Sequence, residues 1–113
     1  MNTGTGVEDF ACAYLERSGL RLLARNFRCR RGEIDLIMQD GEYLVFVEVR
    51  YRKHDAFGSA AETVSSAKQA RIITTASYFL QRQRREPPCR FDVVAVGGKA
   101  PHRIEWIRGA FPR

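Results

Sequence analysis

Two acidic residues, Asp35 and Glu48, lie on either side of an Asp40-Gly41 break. The runs flanking that break, Glu33 to Met38 and Tyr43 to Arg50, are strand-like, and Asp-Gly between such runs signals a two-residue hairpin loop. In that register Gln39 pairs with Glu42, Asp35 lies opposite Phe46, and Glu33 lies opposite Glu48. Side chains alternate along a strand. Glu33, Asp35, Phe46, Glu48 and Arg50 are therefore expected on one face, and Ile34, Leu36, Val45, Val47 and Val49 on the other. Asp35 and Glu48 become diagonal neighbours with backbones roughly 7–8 Å apart, within reach of one ion. Adjacent carboxylates repel, and a hard divalent cation relieves the repulsion. Mg²⁺ or Mn²⁺ would take both carboxylates, the Val49 carbonyl and several waters. Such an ion can polarise a phosphate and lower the pKa of an attacking water. The same spacing equally suits solvated strand carboxylates with Arg50 or Arg52 as counter-ions.

Two further polar residues are expected to look toward the same place. On a helical projection Gln69 falls among Ile72, Ile73, Ala76 and Leu80, on the core-facing stripe, while Lys68, Arg71, Thr75 and Arg82 share a polar stripe beside it. An inward amide needs partners, and a carboxylate cluster with bound water would supply them. An amide bonded to backbone at the helix edge satisfies it as well. Glu8 borders the apolar stripe of an earlier helix, near Ala11 and Leu15, from which it can reach the sheet or remain solvated.

The elements that must position these residues follow from periodicity. Val7, Phe10, Ala11, Tyr14 and Leu15 have amphipathic spacing, which predicts a helix from Val7 to Ser18 stopped by Gly19. Leu20 to Phe27 reads as an edge strand, ending in a loop at Arg28, Arg30, Arg31 and Gly32. After the hairpin and a polar loop from Tyr51 to Gly58, Ser65 caps a helix from Ser66 to Arg84 that Pro87-Pro88 ends. Phe91 to Val96 is a nearly unbroken apolar run, the mark of a strand covered on both faces. Strand, helix and buried strand make a crossover unit. Ile104 to Ile107 reads as a last strand, with Trp106 and Phe111 assigned to core packing in preference to a subunit contact. The order is α-β-β-β-α-β, with one further strand, in a mixed sheet flanked by helices.

The 113 residues suffice for one domain that buries roughly two-thirds of its extended-chain area. Apolar residues at 44% and charges at 28% exclude a disordered chain. The expected domain is 1–113, with 1–5 and 109–113 as flexible ends. No apolar run approaches the ~20 residues of a membrane helix, and Met1 to Asp9 lacks the layout of a secretory signal, so a soluble, cytoplasmic chain is expected. Cys12, Cys29 and Cys89 form no C-x-x-C pair, and with His54 and His102 they offer no zinc ligand set. Lys plus Arg number 19 against 13 for Asp plus Glu, a net +6 that favours polyanionic partners. Most of that excess is arginine, which codon bias alone can produce.

Glu8-x-x-Ala11-x-x-Tyr14-Leu15, Arg25-Asn26-Phe27, Gly32-Glu33-Ile34-Asp35-Leu36-Ile37, Phe46-Val47-Glu48-Val49, Lys68-Gln69, Arg90-Phe91-Asp92-Val93 and the closing Ala110-Phe111 occur together. With these runs the chain resembles, over nearly its whole length, the bacterial YraN family, an endonuclease-like family without an assigned activity. It is similar through them to archaeal Holliday-junction resolvases and the wider PD-(D/E)XK nuclease superfamily. The resemblance implies a restriction-endonuclease-like α/β core, Asp35 and Glu48 as metal-binding carboxylates, Glu8 as an acidic partner from a helix, and Gln69 as a supporting residue. Two positions depart from the pattern. Arg50 stands where the superfamily has Lys, and Val7 where the family usually has Gly. Arginine keeps the positive charge but stays protonated, so it cannot serve as a base.

Three functions are compatible with these features. The first is a metal-dependent nuclease acting on DNA, including branched DNA, through Glu8, Asp35, Glu48, Arg50 and Gln69. The second is a nucleic-acid-binding protein without useful turnover, in which Arg28, Arg30, Arg31, Arg52, Lys53, Lys68 and Arg71 contact phosphates with steep salt dependence. The third is an interaction scaffold. Nothing in the sequence separates DNA from RNA. A homodimer is expected only by likeness to junction-cleaving relatives, whose symmetric cuts suit a two-fold axis.

Overall fold

Alternating apolar residues before and after Gly41 form a hairpin, and the same alternation sets the rest of the sheet. The computed structural model describes residues 5–52, 64–84, 86–98 and 103–113. They form α1 (Thr5–Arg17), β1 (Arg21–Cys29), β2 (Gly32–Asp40), β3 (Tyr43–Arg52), α2 (Ser66–Leu80), β4 (Cys89–Gly97) and β5 (Arg103–Ile107). The strands make one five-stranded sheet in sequential order, β1-β2-β3-β4-β5. β3 and β4 pair in parallel across the α2 crossover, and the other neighbours are antiparallel. This is a mixed α/β domain of the expected class, consistent with a restriction-endonuclease-like fold. No helix among the described residues is long and apolar enough to cross a membrane.

The two helices cover opposite faces. Ala11, Cys12 and Leu15 of α1 pack on Leu36, Met38, Val45, Val47, Val94 and Val96. Ile72, Ala76 and Leu80 of α2 pack on Ile37, Phe46, Phe91 and Val93. Burial on both faces corrects the expected division into one charged and one apolar face. Phe46, assigned to the charged side, is instead deep in the core beneath α2, stacked on Phe91 at 5.4 Å.

The hairpin register also differs from expectation. Asp40 pairs with Tyr43, so Gly41 and Glu42 are the central turn residues. Gly41 has φ 59 while Glu42 is not left-handed, a pattern suited to a turn with glycine first, whereas Asp40-Gly41 would need positive φ at both positions. The shift moves every partner by two residues and therefore preserves the faces. Leu36 pairs with Val47, and one step further Asp35 stands across from Glu48 rather than from Phe46.

Ser65 caps α2, its hydroxyl accepting from the Lys68 N–H at 3.1 Å. The helix stops at Leu80 instead of running to Arg84. Thr75, expected on a polar stripe, is fully buried; its hydroxyl donates to the Arg71 carbonyl at 2.7 Å, which removes the cost of burial. Gly32 permits this packing, since a Cβ there would lie 3.1 Å from Thr75 Oγ1. Tyr51 and Arg52 extend β3 rather than opening a loop.

The C-terminal stretch expected to be flexible is anchored at Phe111, which is 6% exposed and stacks on Phe91 at 5.2 Å. The Ala110 N–H donates to the Phe91 carbonyl at 2.7 Å. Trp106 packs against the α1-side core and meets Tyr14 edge-on, the core role expected of it. At the other terminus α1 begins at Thr5; residues 1–4 lie outside the described set, as do Lys53, His54 and His102.

Candidate active site

The β2–β3 ladder ends at Leu36–Val47, and Asp35 makes the next contact through its side chain. Asp35 Oδ2 accepts the Val49 N–H at 2.8 Å, so the carboxylate stands in for a backbone acceptor. Glu48 lies across from it, only 5% exposed. Burial, and then the charge of Glu48, push the Asp35 carboxyl up from 3.8 to about 7. A hydrogen bond with the Glu48 side chain reinforces the rise, and the Val49 N–H opposes it. Asp35 therefore takes up a proton far more readily than an ordinary aspartate.

Two cations approach the same oxygen of Glu48. Arg50 Nη1 lies 3.4 Å and Lys68 Nζ 3.6 Å from Glu48 Oε2. Lys68, assigned from the sequence to phosphate contacts, is thus drawn from α2 toward the carboxylates. Gln69, expected to support the site, donates from Nε2 to the Val64 carbonyl at 3.1 Å, tying down the residues just before α2.

Glu8 approaches from α1. Burial raises its carboxyl, and the Asp35 charge adds to the rise; a hydrogen bond from Asn26 and the Arg25 charge oppose it. Arg25 Nη2 is 3.7 Å from Glu8 Oε1, while its Nη1 is held by Asp9 at 2.7 Å. Glu8 Oε1 is buried without a hydrogen-bond partner, as are Arg25 Nε and Nη2.

Among the described residues no three His, Cys, Asp or Glu side chains converge as a ready-made metal cage. The donor set is a two-carboxylate one. It fits Mg²⁺ or Mn²⁺, which accept one or two carboxylates and keep several waters. Two observations support that fit: half-buried Asp35 and buried Glu48 face each other, and Glu8 on α1 lies close enough to feel the Asp35 charge.

The other basic candidates divide into two groups. Arg28, Arg30 and Arg31 are exposed around the β1–β2 turn, where Arg28 pairs with Glu33. Arg71 is exposed on α2 beside that turn, its Cβ 3.4 Å from where a Gly32 Cβ would lie. Arg52 pairs with Glu105 at 3.5 Å and lines a cavity of about 220 Å³ with Ala95, Gly97, Arg103 and Ile104. Sequence reasoning missed Arg25 and Asn26 as neighbours of the site. Arg25 and Asn26 stand in a run already singled out, and asparagine's tolerance of left-handed backbone was the available signal.

A family model described as an uncharacterised protein family, UPF0102, matches residues 7–96. A UPF0102 protein of Pseudomonas aeruginosa is 50% identical over 113 residues, covering 96% of this chain and 90% of the relative. One of Nitrosomonas europaea is 49% identical over 110 residues, covering 97% and 93%. One of a Janthinobacterium species is 52% identical over 107 residues, covering 95% and 85%. With the family model spanning most of the chain and these relatives matched nearly end to end, the chain belongs to the UPF0102 (YraN) family.

Proposed function

We propose that the chain is a metal-dependent nuclease that hydrolyses phosphodiesters in the cytoplasm, acting on DNA and on branched DNA in particular. The reading is carried by the Asp35–Glu48 pair, a half-buried and a buried carboxylate facing each other at the end of the β2–β3 ladder. Asp35, Glu48 and the Val49 carbonyl would hold Mg²⁺ or Mn²⁺. When bound, the ion supplies Lewis acidity to the scissile phosphate and to the attacking water.

The chain's own residues do the rest. Arg50 and Lys68 present positive charge beside the carboxylates, where the phosphate oxygens gain negative charge as water attacks in line and the P–O bond breaks. Arg50 keeps its proton throughout, so the water's proton must leave to a substrate phosphate or another base. Glu8 adds negative charge from α1 and favours cation binding. Arg28, Arg30, Arg31, Arg52, Lys53 and Arg71 contact flanking phosphates, and two copies related by a two-fold axis would suit a symmetric junction.

Arg50 favours a second reading, a nucleic-acid-binding protein on the same fold without useful turnover. The deciding experiment is cleavage of labelled single-stranded, duplex, flap and four-way-junction DNA with Mn²⁺ or Mg²⁺, by wild type and Asp35→Ala. Cleavage lost in the variant is the expected result. No cleavage by either, with tight salt-dependent binding of the same substrates, replaces the first reading with the second.

A further inference from the structure

A regular strand places residues 24 and 27 on opposite faces. In β1, Ala24 and Phe27 both pack on the α2-side core, as do their ladder partners Ile37 and Ile34. Between them Arg25 pairs with Leu36, which faces α1. The strand therefore turns over between Arg25 and Phe27, and the residue that turns it is Asn26. It has φ 52, the only left-handed non-glycine backbone among the described residues. The ladder skips both Asn26 and Asp35, the pair that would meet there. Asp35 is thereby released from β1, and its carboxylate reaches the Val49 N–H across on β3. The Asn26 amide meanwhile bonds the Glu8 carboxylate on α1.

We propose that Asn26 is the positioning residue of the carboxylate centre: its left-handed backbone frees Asp35 to reach β3, and its amide holds Glu8 beside the pair. This inference rests on the metal-centre reading, although its geometric half does not need a metal. Asparagine enters the left-handed region more readily than most residues, and its amide can bond an acid while its backbone turns. Glycine would reproduce the backbone without the amide. A β-branched residue resists that backbone and favours a regular strand.

The test uses the full chain and two readouts: Mn²⁺ affinity by calorimetry, and hydrogen exchange at the Val49 amide without metal. Asn26→Gly is expected to keep Val49 protection within about twofold of wild type and to lose about threefold in Mn²⁺ affinity through Glu8. Asn26→Val is expected to lose about tenfold or more in both, the size typical of outer-shell ligand supports. If the valine variant does not fold, Asn26→Ala takes its place with smaller losses in the same order. Wild-type behaviour of the valine or alanine variant in both readouts would overturn the proposal, as would equal loss of Val49 protection in the glycine variant. If wild type binds no Mn²⁺, the metal reading falls, and Val49 protection in the variants still decides whether Asn26 positions Asp35.

Discussion

Asp92 and Asp35 are both aspartates on inner strands of one sheet, and they are treated in opposite ways. Asp92 on β4 is completely buried, yet every demand of its carboxylate is met. Arg90 donates from Nε at 2.9 Å and from Nη2 at 3.0 Å, Trp106 Nε1 at 2.9 Å, and the Gly109 N–H at 2.9 Å. Arg90 continues to Asp40 at 3.0 Å, so the network ties β4, β5, the C-terminal segment and the β2–β3 hairpin together. Asp35 accepts one backbone N–H and faces another acid. Burial alone thus does not mark a working residue. A buried charge with a full set of donors holds a structure together, while one facing its own kind awaits something the chain does not supply.

Removing each carboxylate should separate the two roles. Asp92→Ala leaves Arg90 with Asp40 alone and strands the Trp106 N–H, and should cost about 3–5 kcal/mol in a denaturant melt. A loss below 1 kcal/mol would mean that the network is incidental. Asp35→Asn removes a repulsion instead. It should leave stability unchanged or raise it by about 1 kcal/mol, while lowering Mn²⁺ affinity at least about tenfold in calorimetry. A strongly destabilised Asp35→Asn would make the two aspartates alike and end the contrast.

Acidity provides a gentler probe. The folded Asp35 carboxyl, at about 7, lies above its ordinary 3.8, so the folded state binds the extra proton. That contribution is fully present below pH ~4 and is lost as pH rises through ~7, a decline of about 1–2 kcal/mol in stability curves. Asp35→Asn should flatten the decline, and saturating Mn²⁺ should oppose it. A wild-type curve that rises over this interval would contradict the shifted acid. The smallest effect is expected at Lys68, half-exposed and 3.6 Å from Glu48, in contrast to the tightly held Arg90. Lys68→Met should change stability by less than about 0.5 kcal/mol, yet reduce the salt slope of DNA binding by about one. An unchanged slope would remove Lys68 from the phosphate path.

Local patterns made the elements readable. The spacing of Phe10, Ala11, Tyr14 and Leu15 marks α1, Ser65 marks the start of α2, and the apolar run around Val93 marks the central strand. Asp35 and Glu48 were readable as a pair because their faces survive a two-residue change in register. What escaped depended on contacts distant in sequence. Asp92 looks like any strand acid until Trp106 and Gly109 return to it, and Thr75 looks solvated until Cys29 and Gly32 pack over it. Ile34 changed faces because Asn26, eight residues earlier, breaks the alternation on the neighbouring strand. Gln69 satisfied its amide locally, an outcome periodicity cannot distinguish from service at a site.

Asn26 also shapes the outer border of the molecule. β1 lies at the margin of the sheet, where an uninterrupted run of backbone N–H and C=O groups would invite a foreign strand to join. Its register slips between Leu22 and Ala24, its direction turns at Asn26, and Arg21, Arg25 and Arg28 crowd it with charge. No stretch long and flat enough for strand addition remains. Along this border two copies of the chain would have to meet through side chains rather than by extending one sheet into the next, and the irregularity that frees Asp35 also blunts the β1 edge.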